Sequence, residues 1–109
     1  RAAIHFIGDG ADRLAAMTLA GSWNFTVSHE PALGGLLPDN RRRMVFVTVA
    51  RLAAAVRDAT PAATPVIVLC DDSAIRLPEG VYPLSLPLRP AKLRALLDQL
   101  QKTLAKSIP

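Results

Sequence analysis

Two uninterrupted apolar runs constrain this chain more than any other feature. Met44-Val45-Phe46-Val47-Thr48-Val49 and Val66-Ile67-Val68-Leu69 are β-branched or apolar almost throughout, and neither alternates polar with apolar residues. A strand with one wet face alternates. A strand without alternation is covered on both faces, as in a parallel sheet. Parallel neighbours need crossover connections, and these are usually helices. The runs therefore predict an α/β domain with helices on both sides of a buried sheet.

The rest of the chain supplies the crossovers and outer strands. Ala2 to Ile7 is an apolar run closed by Gly8-Asp9-Gly10, a strand and a turn. Asp12 is placed to cap a helix through Leu14, Met17 and Leu19, which Gly21 ends. Phe25-Thr26-Val27 reads as a second strand, with Trp23 at the core edge beside it. Pro31 can open a short helix through Leu33, Leu36 and Leu37, weakened by Gly34 and Gly35. Arg51 to Thr60 reads as a helix with Leu52, Ala55 and Val56 inward, stopped by Pro61. The segment from Ser73 to Gly80 contains Pro78 and Gly80 and can hold at most one helical turn. Tyr82 to Leu86 is the fifth strand. From Pro90, Leu93, Leu96, Leu97, Leu100 and Leu104 form one stripe of a last helix.

With 109 residues, one domain with a single core is expected. No apolar run approaches the roughly 20 residues of a membrane span, so no membrane contact is expected. The chain opens Arg1-Ala2-Ala3 and enters a strand pattern without a signal-peptide pattern; a start without Met suggests an excised or processed chain. The single Cys70 excludes an internal disulfide and a CxxC zinc site, and fits a reducing, cytoplasmic setting. Net charge is +4. The basic residues are scattered except at Arg41-Arg42-Arg43, and no aromatics interleave with them, so nucleic-acid binding is not expected.

The βα order and the ending Leu84-Ser85-Leu86-Pro87-Leu88-Arg89-Pro90-Ala91-Lys92-Leu93-Arg94-Ala95-Leu96-Leu97 resemble the receiver (response-regulator, CheY-like) domain of two-component signalling, as found in hybrid histidine kinases. The likeness is most specific at Pro87 and at the helix start from Pro90. It implies a flavodoxin-like (βα)5 three-layer sandwich with sheet order 2-1-3-4-5, its fourth helix shortened or missing, and a functional edge at the carboxyl ends of the strands. Receivers need an acidic pair for Mg²⁺ after the first strand, an acceptor Asp after the third, a Thr or Ser after the fourth and a Lys before the Pro. At those positions this chain has Gly8 and Asp9, then Thr48, Cys70 and Leu86 ahead of Pro87; only Asp9 is kept. A Thr hydroxyl does not replace a carboxylate nucleophile. The resemblance thus implies a pseudo-receiver without phosphoryl transfer and without a cofactor. Its partners would be a kinase core, or a neighbouring receiver or phosphotransfer domain, docked to regulate phosphotransfer.

Other readings compete at individual residues. Asp9, Asp71 and Asp72 would share one sheet edge and could hold a cation, although both segments are turn-like and read more simply as turn and cap carboxylates. Cys70 could be a nucleophile only with a base from His5 or His29; a small buried residue is the simpler reading. Arg41, Arg42 and Arg43 could grip a nucleotide second messenger such as a cyclic dinucleotide, against a solvated entry to the third strand. A small flavodoxin-like enzyme using Asp9, Cys70 or Asp71 is a third possibility. Pro83 with Arg94, Gln101 and Lys102 is a candidate docking surface, and the fifth strand a candidate open edge beside an apolar patch of Ile75, Leu77 and Leu86.

Overall fold

The structure, a computed structural model, describes residues 2–34, 43–71 and 76–107. Its elements follow one another as β1 (Ala3–Ile7), α1 (Arg13–Ser22), β2 (Thr26–Glu30), β3 (Arg43–Val47), a 3-10 turn (Ala50–Leu52), α2 (Ala53–Ala59), β4 (Val66–Cys70), β5 (Val81–Ser85) and α3 (Pro90–Ser107). All pairings are parallel and the sheet order is β2-β1-β3-β4-β5. This is an α/β fold with a five-stranded parallel sheet, consistent with a flavodoxin-like arrangement.

Two cores lie on opposite faces of the sheet. On one, Ile4, Phe6, Met44, Phe46, Ile67 and Leu69 meet Ala16 and Ala20 of α1 and Leu93, Leu97, Leu100 and Leu104 of α3. Phe6 and Phe46 are direct register partners, with ring centroids 5.1 Å apart. On the other face, Ile7, Val45, Val47, Val66 and Val68 meet Ala53 and Val56 of α2. Successive side chains of a strand point to opposite faces, so within each apolar run the larger residues go to one side and the valines to the other. The α3 stripe packs as expected, with Leu96 only partly buried.

Several local expectations change. Asp12 stands at the N-cap of α1 but makes no side-chain cap bond. Its φ of −96° and ψ of 6° depart from the extended backbone that aims a cap oxygen at the first turn. α1 runs one residue past Gly21, and the reversal is made by Asn24 at φ 70°, a left-handed position that Asn tolerates. The Phe25 N–H closes the turn on the Ala20 carbonyl. β2 starts after Phe25, which is buried instead, and continues to Glu30. β3 ends at Val47, so Thr48 is the first residue beyond it. The 3-10 turn shifts the phase of α2: Ala53 and Val56 face the core, while Ala55 is exposed. β5 spans Val81–Ser85, one residue earlier than expected. Pro31 to Gly34 is not helical, and Leu36 and Leu37 lie outside the described residues. Residues 76–80 contain no helix. Among the described residues no helix is long and apolar enough to cross a membrane.

Candidate functional site

The carboxyl ends of β1, β3, β4 and β5 meet at one edge, where a cavity of about 260 Å³ is lined by Asp12, Thr48, Cys70, Asp71 and Leu86 among others. The position of this cavity agrees with the general rule for open α/β sheets. The Leu86–Pro87 peptide bond beside it is cis.

The β1 and β3 side of this edge is tied shut. The Thr48 hydroxyl donates to the Ile7 carbonyl at 3.2 Å and accepts the Gly10 N–H at 3.0 Å. The Thr48 N–H also donates to the Ile7 carbonyl, at 3.0 Å. Gly8 and Gly10 let the loop lie directly against Thr48. A Cβ on Gly8 would stand 2.8 Å from Thr48 Oγ1, and the residue has φ 102°. A Cβ on Gly10 would fall onto the Thr48 carbonyl oxygen and 2.9 Å from its Cβ. Position 48 is thus used for a buried hydroxyl that donates and accepts at once. A carboxylate there could accept from Gly10 but would set a second acceptor against the Ile7 carbonyl.

Asp9 turns away from the cavity. Its Oδ1 lies 3.2 Å from His29 Nε2 and 3.7 Å from Arg13 Nε, and the side chain is 61% exposed. His29 Nε2 is also 3.0 Å from the Gly8 carbonyl, so an Nε2–H proton is shared between loop carbonyl and carboxylate. This contact pins the loop to β2. Solvent screening keeps the ion pair's own contribution small. Asp12 and Asp71, by contrast, line the cavity. Asp9 and Asp71 follow β1 and β4, which β3 separates, roughly 10 Å at ordinary strand spacing. Among the described residues no three His, Cys, Asp or Glu side chains are grouped to hold a metal. Asp72 and Ser73 lie outside the described residues.

The remaining candidates separate. Cys70 is buried at the end of β4, while His5 and His29 sit on β1 and β2 across the sheet, so neither is placed as its base. His5 instead stands with Nδ1 2.7 Å from Ser28 Oγ and Nε2 3.5 Å from Glu30 Oε1. The order is that of a hydrolytic triad, but the row lies outside the carboxyl-edge cavity. Arg43 opens β3 at the amino end of the sheet, opposite this site, and Arg41 and Arg42 lie outside the described residues.

Two of the expected docking residues of α3 are engaged within the chain, while Lys102 is exposed. Arg94 packs 5.0 Å over the Trp23 ring and reaches Asp98 Oδ2 at 3.4 Å, and Gln101 Oε1 accepts the Ala2 N–H at 2.9 Å. Leu77 and Leu86 do not form one patch, because they pack against cores on opposite faces; Ile75 lies outside the described residues. β5 is an edge, but Pro83 blunts it. The Leu86 N–H points inward to the Cys70 carbonyl, so alternation places the Pro83 nitrogen outward, where an added strand would seek a donor. Sequence reasoning missed Asp12 as a cavity residue, because its position before a helix reads as a cap. No family model, no curated protein and no solved structure matches this chain.

Proposed function

We propose that this chain is a non-phosphorylatable pseudo-receiver of a two-component or phosphorelay protein, with a flavodoxin-like three-layer architecture whose fourth helix is shortened or missing. It regulates phosphotransfer by docking to a kinase core or to a neighbouring receiver or phosphotransfer domain. One observation carries the reading: the position equivalent to the receiver's acceptor holds Thr48, whose hydroxyl is spent on the Ile7 carbonyl and the Gly10 N–H. A hydroxyl nucleophile needs a base or a lowered pKa, and the Thr48 proton is given to a backbone carbonyl, which is not a base. Thr48 is 8% exposed, with the Gly8–Gly10 loop packed directly against it. At the equivalent of the receiver's Lys stands Leu86, which supplies no charge for a transferring phosphoryl group. The sheet order supports the scaffold half of the reading.

The test is incubation of the chain with Mg²⁺ and a small phosphodonor, followed by intact mass and amide shifts. Unchanged mass, with Thr48 and Gly10 amides still, is expected. A phosphorylated Asp9, Asp12 or Asp71 would overturn the reading. Docking is tested by titrating the labelled chain with the histidine-kinase core to which it is joined or beside which it is encoded; an absence of shifts would count against it.

A further inference from the structure

Among the described residues, the valine face of the sheet is covered by one short helix. On the valine face, α2 covers β3 and β4 through Ala53 and Val56. Beyond it on the same face, β5 presents Pro83 and Ser85, and both are exposed. A parallel sheet ordinarily has both faces covered, because crossover helices lie on them. Here residues 76–80 of the β4–β5 connection form no helix. Beside α2 lies a groove of about 610 Å³, between the start of that helix and the segment Arg76 to Pro78.

The lining of the groove is specific in kind. Its floor is made by Ala50, Ala53, Ala54, Leu77 and Pro78, small or apolar side chains that allow close approach of another backbone. Its rim carries Arg51 and Arg76, one from each wall. Both are exposed, and neither makes a hydrogen bond or ion pair with a described residue. No acidic side chain is among the described lining residues. One wall is braced: Arg57 of α2 donates to the Gly80 carbonyl at 3.2 Å, and also to the Thr60 and Pro61 carbonyls.

We propose that this groove docks an acidic amphipathic helix of a partner protein. The inference rests on the docking reading above and names the surface and the chemistry of its partner. A helix is favoured over a strand because Pro83 removes the outward donor in mid-β5. An acidic helix is favoured because two guanidiniums with no partner among the described residues frame an apolar floor, the arrangement that recognises carboxylates flanking an apolar stripe. Among the described helices, α3 of a second copy is a poor match for that partner. The outward side of α3 carries Lys92 and Lys102, its Asp98 is already held by Arg94, and the chain's net charge is +4.

The test uses the whole chain and a displayed library of helical peptides. Selected peptides are expected to carry Glu or Asp beside apolar residues at i, i+3 or i+4, and i+7. Their binding should fall by about tenfold or more in the Arg51→Glu/Arg76→Glu variant, while its thermal unfolding stays near that of the parent. Amide shifts should mark Ala53, Ala54 and Leu77 and leave Gly10 and Thr48 still. Peptides without acidic bias, equal binding to the charge-reversed variant, or shifts centred elsewhere would each overturn the proposal. So would concentration-dependent dimerisation that protects the same groove, since the occupant would then be a second copy. Phosphorylation of the chain would remove the pseudo-receiver reading without touching the peptide result, so the two failures are distinguishable.

Discussion

β4 shows the difference between the two faces of this sheet within five residues. Ile67 and Leu69 point to one side, and Val66, Val68 and Cys70 to the other. β3 repeats it, with Met44 and Phe46 against Val45 and Val47. The first face is deep and complete: long side chains fill the space beneath α1 and the leucine stripe of α3. The second is roofed, among the described residues, by an alanine-rich helix of seven residues, with Leu77 and Val81 partly buried against the same core. The two faces thus differ in depth. The first is filled beneath two helices, and the second lies beneath one short helix with the groove at its margin.

The largest effect expected from this contrast is on the deep face. Leu97 is fully buried on α3. Leu97→Ala should cost about 3 kcal/mol or more, counting lost transfer and the cavity left behind. Against a typical total of about 5–15 kcal/mol this is severe, and urea unfolding would show it as a large drop in midpoint. A cost below about 1 kcal/mol would mean that the two helices do not close that face.

The sharper comparison is on one strand. Ile67 and Val68 are adjacent and both fully buried. Ile67→Ala should cost about 3 kcal/mol and Val68→Ala about 2, since the valine loses fewer methyl groups and sits beneath a single short helix. Equal costs, measured by the same unfolding curves, would show the valine face to be as tightly supported as the other.

Much of this architecture could be read from the chain before any coordinates. The uninterrupted runs at Met44 and Val66 require cover on both sides, and the leucine spacing of α3 fixes its inward face. The size alternation inside those runs was equally present, but hydropathy treats Phe46 and Val47 as alike, so it passed as uniform. The site was less legible. Thr48 stood out as the residue at an acceptor position, yet its hydroxyl partners come from Ile7 and Gly10, distant in sequence. Asp12 read as a cap because capping is a local rule. Its place in the cavity lining depends on Thr48, Cys70, Asp71 and Leu86, all distant in sequence. Arg51 and Arg76 come from different connections and share a groove only because β4 lies beside β3.

A smaller effect is expected where the faces meet at the carboxyl edge. Thr48→Val keeps the shape of the side chain and removes the hydroxyl, so the Gly10 N–H loses its acceptor at 3.0 Å. The cost should be about 1–2 kcal/mol, with faster amide exchange at Gly10, and Thr48→Ser should recover most of it. An unchanged Gly10 exchange rate would show that the glycine loop is held by packing alone.

The smallest expected effect sits on the rim of the shallow face. Arg51 and Arg76 are exposed and make no contact with a described partner that folding depends on. Exposed side chains away from caps, networks and cores usually change stability by no more than about 0.5 kcal/mol when substituted. Arg51→Glu/Arg76→Glu should therefore leave the unfolding midpoint almost where it was. That null result has content, because the same two changes are expected to weaken the binding of acidic helices by about tenfold or more. Groups that serve a partner and not the fold are what the rim of a docking groove should carry. A loss of stability as large as that of Val68→Ala would instead place both arginines within the fold's own support.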